Sequence, residues 1–277
     1  MSAAMSRPFL KMNGLGNDFV VVETRSQPFS PTAAEVRAIA DRAAGVGCDQ
    51  LIAIEPAAGA DARVRFWNSD GEEVAACGNG ARCVGWLIMQ AAGKDEAVLE
   101  TKAGRLRAAR AGERLVSVDM GEPRLAWDQI PLSEPRDTRA LDVVLYEHPQ
   151  LGAPPACVSM GNPHVVFFVT DLAETPVTEA GPAIERHPLF PEHVNVGFAQ
   201  IVDRRRIRLR VWERGAGLTK ACGTGACAAV VAAARRDLAD RTATVEVDGG
   251  ELLIEWRADN HVIMTGPAAV DFAGQLP

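Results

Sequence analysis

The chain has 277 residues, of which 47% are hydrophobic and 23% charged, and its formal net charge is −7. This composition is typical of a globular protein, its length suits two domains, and its negative charge disfavours nucleic-acid binding. No run of about 18 apolar residues indicates a membrane span, so no membrane partner is expected. The start, Met1–Pro8, lacks the charged-then-apolar order of a secretory signal. Six cysteines do not suggest a disulfide framework, which favours a reducing cytoplasm.

Short runs rich in β-branched or aromatic residues predict the strands of the first half. They lie at Phe19–Val22, Gln50–Ile54, Val64–Trp67, Val98–Thr101, Leu106–Ala109 and Leu115–Asp119. Ser30–Glu35, with a proline in its first turn, predicts a helix that runs to about Ala44 and ends at Gly45. A second helix is expected from just after Cys77 to about Ala92.

The proline-containing stretch Gly121–Pro135 is the best candidate for a linker. We therefore expect an N-terminal domain at residues 1–122, on which the segment 267–277 can pack, and a second domain at residues 123–266. The same strand criteria predict the strands of the second half. They lie at Ala156–Ser159, Val165–Val169, Val196–Val202, Ile207–Trp212, Val245–Val247, Leu252–Trp256 and Val262–Met264. A further helix is expected from after Cys222 to about Arg236.

The second half repeats the first at a spacing of 145 residues. Cys77–Ala81 matches Cys222–Ala226, and Asn17–Val21 resembles Asn162–Val166. Polar residues recur in the same register, with Gln50 matched by Asn195 and Asn68 by Glu213. The duplication predicts an α+β protein of two homologous domains, each a mixed, barrel-like β-sheet wrapped around a central helix. We expect the domains to be related by pseudo-twofold symmetry, with the active site between them.

Each repeat places a cysteine directly before Gly-x-Gly-Ala and a helix. The first N–H groups of a helix lack intrahelical partners, and the helix dipole adds positive potential, so this end suits a carboxylate. The same field is expected to lower the pKa of a thiol toward neutrality. Two such thiols, Cys77 and Cys222, suit the inversion of a carbon that carries a carboxylate, because one removes a proton and the other supplies one.

Other interpretations of these residues are simpler. A buried cysteine is usually a small apolar residue, and we prefer that interpretation for Cys48, Cys83, Cys157 and Cys227. The cysteine spacings are not those of a zinc site, so no metal is expected. His164 could be a turn residue, and Glu213-Arg214 a surface ion pair, but their duplicated positions favour functional roles.

Eight short motifs resemble those of diaminopimelate epimerases, and they occur in the order of that family over most of the chain. They are Lys11–Phe19, Gly47–Leu51, Asn68–Gly71, Cys77–Cys83, Gly161–His164, Val194–Phe198, Glu213–Gly215 and Ala221–Ala226. The resemblance implies a homodimeric enzyme without a cofactor. It implies conversion of LL-diaminopimelate to the meso form, for lysine and peptidoglycan synthesis.

The resemblance also implies a role for each matched residue. Cys77 and Cys222 would be the two catalytic bases, and His164 and Glu213 would tune the pKa values of the thiols. Gly78, Asn79, Gly223 and Thr224 would hold the reacting carboxylate. The remaining substrate-binding residues would be Asn17, Gln50, Asn68, Asn162, Asn195, Glu213 and Arg214.

Two other functions remain open from the residues. A related two-thiol racemase could act on proline or hydroxyproline, although the paired amides and Glu213-Arg214 favour a longer substrate with two amino-acid ends. A non-catalytic amino-acid-binding protein could use the same carboxylate sites, but binding alone does not require paired cysteines.

Overall fold

The structure is a computed structural model and describes residues 7–276. These residues form two compact units. Unit 1 contains the chain as far as Val118 together with the segment from Thr265 onward, and unit 2 contains Asp119–Met264. Within residues 7–276, no helix is long and apolar enough to cross a membrane.

The first part of the chain supplies most of unit 1. Its elements are β1 (Arg7–Gly14), β2 (Asn17–Glu23), α1 (Ala33–Ala40), β3 (Gln50–Glu55), β4 (Ala62–Asn68), β5 (Glu73–Val74), α2 (Gly78–Ala92), β6 (Glu96–Thr101), β7 (Gly104–Arg110) and β8 (Leu115–Asp119). Helix α2 and strands β2, β3, β4, β6, β7 and β8 lie where the sequence predicts them, whereas β1 and β5 were not predicted. Helix α1 ends earlier than predicted, because the Asp41 carboxylate accepts the backbone N–H groups of Ala43 and Ala44 and holds a turn there.

The second part of the chain forms unit 2 and then returns to unit 1. Its elements are β9 (Ala156–Ser159), β10 (Pro163–Val169), α3 (Val177–Glu185), β11 (Asn195–Asp203), β12 (Arg206–Glu213), β13 (Gly217–Thr219), α4 (Gly223–Arg235), β14 (Thr242–Val247), β15 (Gly250–Trp256), β16 (Val262–Pro267) and β17 (Ala269–Leu276). Within Gly121–Pro135, the predicted linker, Ile130 and Leu132 are buried in the core of unit 2.

The sheet of unit 1 is mixed. β1 pairs antiparallel with β17 and β2, β2 runs parallel to β3, and β3 pairs antiparallel with β4. β4 pairs with the short β5 and runs parallel to β6, and β7 and β8 complete an antiparallel meander. Helix α1 connects β2 to β3, and α2 connects β5 to β6, so both parallel pairs are joined by helical crossovers.

Unit 2 repeats this arrangement. β9 and β10 are antiparallel, β10 and β11 are parallel, and β11 and β12 are antiparallel. β12 pairs with the short β13 and runs parallel to β14, which pairs antiparallel with β15. The registers repeat as well: Phe19 faces Gln50 in unit 1, and His164 faces Asn195 in unit 2. The duplication that the sequence indicates is therefore present in the topology and in the pairing of equivalent residues.

The helix that follows each motif cysteine is central to its unit. Helix α4 is composed of small apolar residues, and those from Gly225 to Ala233 are buried. Helix α2 is buried over most of its length and ends at Gly93, a left-handed residue that accommodates the C-terminal turn. A helix that is apolar on all sides requires cover on all sides, and strands of the mixed sheets pack against both helices. The predicted two-domain, mixed-sheet α+β fold is confirmed.

Candidate active site

Cys77 is the N-cap residue of α2, in extended conformation, and its sulfur accepts the N–H of Gly80 at 3.4 Å. Gly80 is required here by close packing, because a Cβ atom at this position would lie 2.9 Å from the side chains of Ile52 and Phe66. The glycine therefore lets the first turn of α2 lie directly against strands β3 and β4. This contact holds the Cys77 sulfur rigidly at the start of a buried helix.

Two predicted substrate-binding amides surround Cys77. The Cys77 sulfur lies 3.9 Å from Oδ1 of Asn17, the first residue of β2. The same oxygen accepts Nδ2 of Asn79 at 3.4 Å. Asn79 is buried in the first turn of α2, whereas Asn17 and Cys77 are partly exposed. One thiol and two amides thus lie together at the N-terminus of α2, whose first residue is Gly78.

Gln50 and Asn68 form a second pair of amides in unit 1. They face each other across β3 and β4, and Nε2 of Gln50 donates to Oδ1 of Asn68 at 2.8 Å. Oε1 of Gln50 is buried and has no hydrogen-bond partner among the described residues. A buried amide oxygen without a donor is costly, so this atom is suited to accept an N–H group from a bound molecule.

Cys222 has the equivalent position in unit 2, as the N-cap residue of α4. Its sulfur lies 3.6 Å from the hydroxyl oxygen of Thr224. Gly225 is required for the same reason as its counterpart in α2, since a Cβ atom there would lie 2.9 Å from Val211 and 3.2 Å from the Cys222 sulfur. Cys222 is more deeply buried than Cys77, at 4% exposed. Gly223, the first residue of α4, is buried beside it.

Asn162 and His164 extend the contacts of Thr224. Nδ2 of Asn162 donates to the Thr224 hydroxyl at 3.3 Å, so Oδ1 of Asn162 faces Nε2 of His164 at 3.2 Å. Burial, together with the charge of Arg214, lowers the pKa of His164 to about 3. His164 is therefore a neutral imidazole that donates through Nε2. Its predicted contribution to thiol tuning would act through Asn162 and Thr224, and it stays a prediction.

Glu213, Arg214 and Asn195 meet at the end of β12. The backbone N–H of Arg214 donates to Oδ1 of Asn195 at 3.0 Å, and Nδ2 of Asn195 donates to the Pro163 carbonyl at 2.8 Å. Asn195 thus holds Arg214 in place from within the protein. The guanidinium of Arg214 is exposed and donates to the Glu192 carbonyl, and the carboxylate of Glu213 accepts the hydroxyl of Thr219.

The pKa of Cys222 differs from the sequence-based expectation. Burial raises the pKa of the Cys222 thiol well above its usual value, and the negative charge of Glu213 raises it further. Hydrogen bonds from Thr224 and from the Gly225 backbone act in the opposite direction but are smaller. The expected lowering toward neutrality is therefore wrong for Cys222 in the ligand-free protein, because desolvation outweighs the helix N-terminus. At neutral pH this sulfur carries its proton.

The predicted residues form two equivalent groups. Cys77, Asn79 and Asn17 correspond at the same spacing to Cys222, Thr224 and Asn162. The sequence prediction omitted Asp49, Arg82 and Glu185. Asp49 and Arg82 contact the amides around Cys77, and Glu185 accepts Nε1 of Trp212 at 2.7 Å and the Gly215 N–H at 3.1 Å. Asp49 and Arg82 lie within the family motifs given above, so the sequence could have indicated them. No motif contains Glu185, so nothing in the sequence indicated it.

The described cysteines outside the motif positions agree with their simpler interpretation. Cys48, Cys83, Cys157 and Cys227 are buried and free of disulfides. Burial raises the pKa of Cys48 to about 11 and that of Cys83 to about 12. Thiols in this state are inert packing residues, as predicted.

Comparison with solved structures shows the fold. A hydroxyproline epimerase from Agrobacterium vitis superposes with a TM-score of 0.71 at 17% identity, covering 100% of this chain and 94% of that one. A predicted epimerase from Pseudomonas aeruginosa gives a TM-score of 0.69 at 18% identity, covering 98% and 99%. A PhzF-family protein from Bacillus anthracis gives 0.70 at 16%, again covering 98% and 99%. The class is therefore a two-domain, mixed-sheet α+β protein with a fold that occurs among epimerases.

Sequence comparison is more specific. The profile of the diaminopimelate epimerase family matches residues 9–126 and 156–270. The chain is 79% identical to a diaminopimelate epimerase from Phenylobacterium zucineum over 277 residues, covering 100% of both chains. It is 60% identical to one from a Caulobacter species over 291 residues, covering 99% of this chain and 98% of the relative. The chain belongs to the diaminopimelate epimerase family and is an isomerase, which confirms the resemblance found in the motifs.

Proposed function

We propose that this protein converts LL-diaminopimelate to meso-diaminopimelate without a cofactor, using Cys77 and Cys222 as a thiolate and a thiol. One observation carries the proposal. In a chain of this family, both cysteines are N-cap residues of central helices and occupy equivalent positions in a duplicated fold. A pair of equivalent proton-transfer groups matches a reaction that inverts one carbon.

The helix N-termini supply the electrostatic part of the mechanism. The N–H groups of Gly78 and Asn79, and those of Gly223 and Thr224, belong to the first turns of α2 and α4, which have no intrahelical acceptors. These groups would bind the carboxylate of the reacting carbon. When the α-proton leaves, negative charge develops on that carboxylate as it becomes an enediolate. The donors and dipoles of these helix N-termini would stabilise the developing charge.

The two thiols supply the proton transfers. Cys222 holds its proton in the ligand-free protein because burial and Glu213 raise its pKa. It is therefore the proton donor for the isomer that binds this form, and Cys77 would act as the base once it has lost its proton to solvent. Cys77 removes the α-proton from one face, and Cys222 delivers its proton to the opposite face. The protonation states are then exchanged, and the reverse reaction restores them.

The remaining polar groups would recognise the rest of the substrate. Arg214 presents an exposed guanidinium that suits a carboxylate. The unpartnered Oε1 of Gln50 suits an ammonium group. Asn17, Asn68, Asn162, Asn195 and Glu213 complete the proposed set. The domains at residues 1–122 and 123–266, the homodimer, the cytoplasmic location and the absence of a cofactor stay predictions.

The test is solvent exchange. Purified protein in deuterated buffer, without added pyridoxal phosphate or metal, is expected to incorporate deuterium at an α-carbon of LL-diaminopimelate and to form the meso isomer. The Cys227→Ala variant is a matched control, because Cys227 is a buried cysteine in the same helix as the Cys222 motif, and it should retain both activities. Absence of exchange in the unmodified protein would refute the proposal.

A substrate panel tests the alternatives in the same experiment. Exchange with proline or hydroxyproline, but not with diaminopimelate, would show that the protein acts on another substrate. Tight binding of diaminopimelate without exchange would indicate a binding protein.

A further inference from the structure

The amide of Asn17 is held at one end by a carboxylate that can only accept hydrogen bonds. Nδ2 of Asn17 donates to Oδ2 of Asp49 at 2.8 Å, and the backbone N–H of Asp18 donates to the same oxygen at 3.0 Å. An ionised carboxylate has no hydrogen to donate. The NH₂ group of Asn17 must therefore face Asp49, and its Oδ1 must face the opposite direction, toward the Cys77 sulfur.

The amide of Asn79 is held at the other end by a group that can only donate. Nη1 of Arg82 donates to Oδ1 of Asn79 at 2.8 Å, and the Arg82 side chain is fully buried. A guanidinium has no acceptor, so Oδ1 of Asn79 must face Arg82. Nδ2 of Asn79 then points to Oδ1 of Asn17, and the two amides are aligned head to tail.

Asp49 is itself fixed by the charges around it. Its Oδ1 accepts Nη2 of Arg42 at 2.6 Å, and its backbone N–H donates to Oδ1 of Asp18. The exposed Arg42 and the buried Lys11 both pair with Asp18 and hold the pKa of that carboxyl well below its usual range. Asp49, Asn17, Asn79 and Arg82 thus form one hydrogen-bonded chain, the amide chain, and its anionic end at Asp49 is part of a charged cluster.

The second repeat lacks both ends of this chain. The positions equivalent to Asp49 and Arg82 are Val194 and Cys227, which are buried and apolar. Asn162 contacts His164 and Thr224 instead, and each of these can both donate and accept. The fixed orientation of the amides is thus a property of the Cys77 site and not a requirement of the duplicated fold.

We propose that Asp49 and Arg82 are positioning residues that fix the Asn17 and Asn79 amides so that the Asn17 oxygen faces the Cys77 sulfur. The inference rests on the proposed function, because Cys77 is one of its two thiols. An acceptor at the sulfur favours the thiol over the thiolate. If the Asn17 amide turned, its NH₂ group would face the sulfur and favour the thiolate before substrate binds.

The test measures alkylation of Cys77 by iodoacetamide from about pH 6 to about pH 10, followed by peptide mass spectrometry, because the thiolate is the reactive form. Asp49→Ala removes the acceptor and frees the Asn17 amide. We expect the midpoint of the Cys77 profile to fall by about half a pH unit or more, with an unchanged plateau. Epimerisation should fall by about tenfold or more. The Cys222 profile in the same sample should not move.

Two matched variants separate orientation from charge. Asp49→Asn retains an oxygen for Asn17 and for the Asp18 N–H, while its NH₂ group faces Arg42, whose side chain is 59% exposed and can move away. We expect this variant to keep the Cys77 midpoint and most of the activity. Arg42→Ala breaks the ion pair but leaves the bond between Asp49 and Asn17, and should behave similarly.

The outcomes that overturn the proposal are distinct. Equal shifts in Asp49→Asn and Asp49→Ala would mean that charge, not orientation, acts on Cys77. A raised plateau with an unchanged midpoint would mean that the sulfur has only become more accessible. For the other end, Arg82→Lys keeps a donor for Asn79 and should keep most of the epimerisation activity, whereas Arg82→Met frees the Asn79 amide and should lower it; identical behaviour in two folded variants would exclude Arg82. Alkylation requires no turnover, so the Asp49 results stand apart from failure of the α-proton exchange assay.

Discussion

The two motif cysteines occupy equivalent positions but differ in what surrounds them. Oδ1 of Asn17 faces Cys77, and the amides beside that sulfur are fixed by Asp49 and Arg82. Cys222 contacts the hydroxyl of Thr224 and is more deeply buried. The same backbone position in the two repeats thus places its cysteine sulfur in two different polar environments. In the ligand-free protein both environments favour the protonated thiol, through an amide oxygen at Cys77 and through burial and the charge of Glu213 at Cys222.

The hydrogen-bond chain at Cys222 runs toward the sulfur. His164 donates to Asn162, Asn162 donates to Thr224, and the Thr224 hydroxyl can donate to Cys222. This chain favours the thiolate, whereas burial and Glu213 favour the thiol more strongly. The balance can therefore change when a substrate alters the surroundings of Glu213. At Cys77 the neighbouring amides are instead held in one orientation by Asp49 and Arg82.

The largest expected effect comes from removing either thiol. Cys77→Ala and Cys222→Ala should each reduce epimerisation by at least about 100-fold, because each removes one proton-transfer group. The measurement is the rate of meso-diaminopimelate formation from the LL isomer. Cys83→Ala is a control in helix α2 at a buried cysteine. If one motif cysteine could be replaced without loss, the two sites would not be functional equivalents.

A smaller effect is expected from neutralising Glu213. Its charge raises the pKa of Cys222, so Glu213→Gln should lower that pKa and move the alkaline limb of kcat/KM to lower pH. Alkylation of Cys222 below its pKa should become faster, by about tenfold for each pH unit of the shift. Cys77 in the same sample serves as the internal control. A Cys222 profile that moved to higher pH, or did not move, would contradict the assigned charge effect.

The smallest effect concerns His164, which should not change its charge in the physiological range. Its pKa of about 3 means that it becomes protonated only in strong acid. Its C2 proton resonance should stay constant from about pH 5 to about pH 8. His261 is the control, since its hydrogen bond to Asp119 raises its pKa, and it should titrate above the usual histidine range. A His164 midpoint near the value of a free histidine would show that this site is hydrated.

Some elements could not be predicted from local sequence. Helix α3 contains Gly181 and Pro182, which disfavour a helix interior. The helix forms because Gly181 permits close packing and because its apolar neighbours are buried. A Cβ atom on Gly181 would lie 2.5 Å from the Trp212 ring, so the glycine lets the helix pack directly on that ring. Val177, Ala180 and Ile184 are buried in the core of unit 2.

Strands β1 and β17 were missed for a related reason. They pair with each other antiparallel, although they lie at opposite ends of the chain, with Arg7 facing Leu276. The partner of such a strand is remote in sequence, so local patterns carry little information about it. The pairing brings the C-terminal segment into unit 1.

The sequence by itself determined the duplication, the two helix N-termini, the motif cysteines and the family, because these depend on repeated residues and local backbone chemistry. Only the tertiary structure decided the protonation state of Cys222 and the orientation of the Asn17 and Asn79 amides. The high pKa of Cys222 depends on burial and on Glu213, the last residue of β12. The orientation of Asn17 depends on Asp49, which lies in the loop before β3. Both effects are set by distance and desolvation, and neither follows from residue order along the chain.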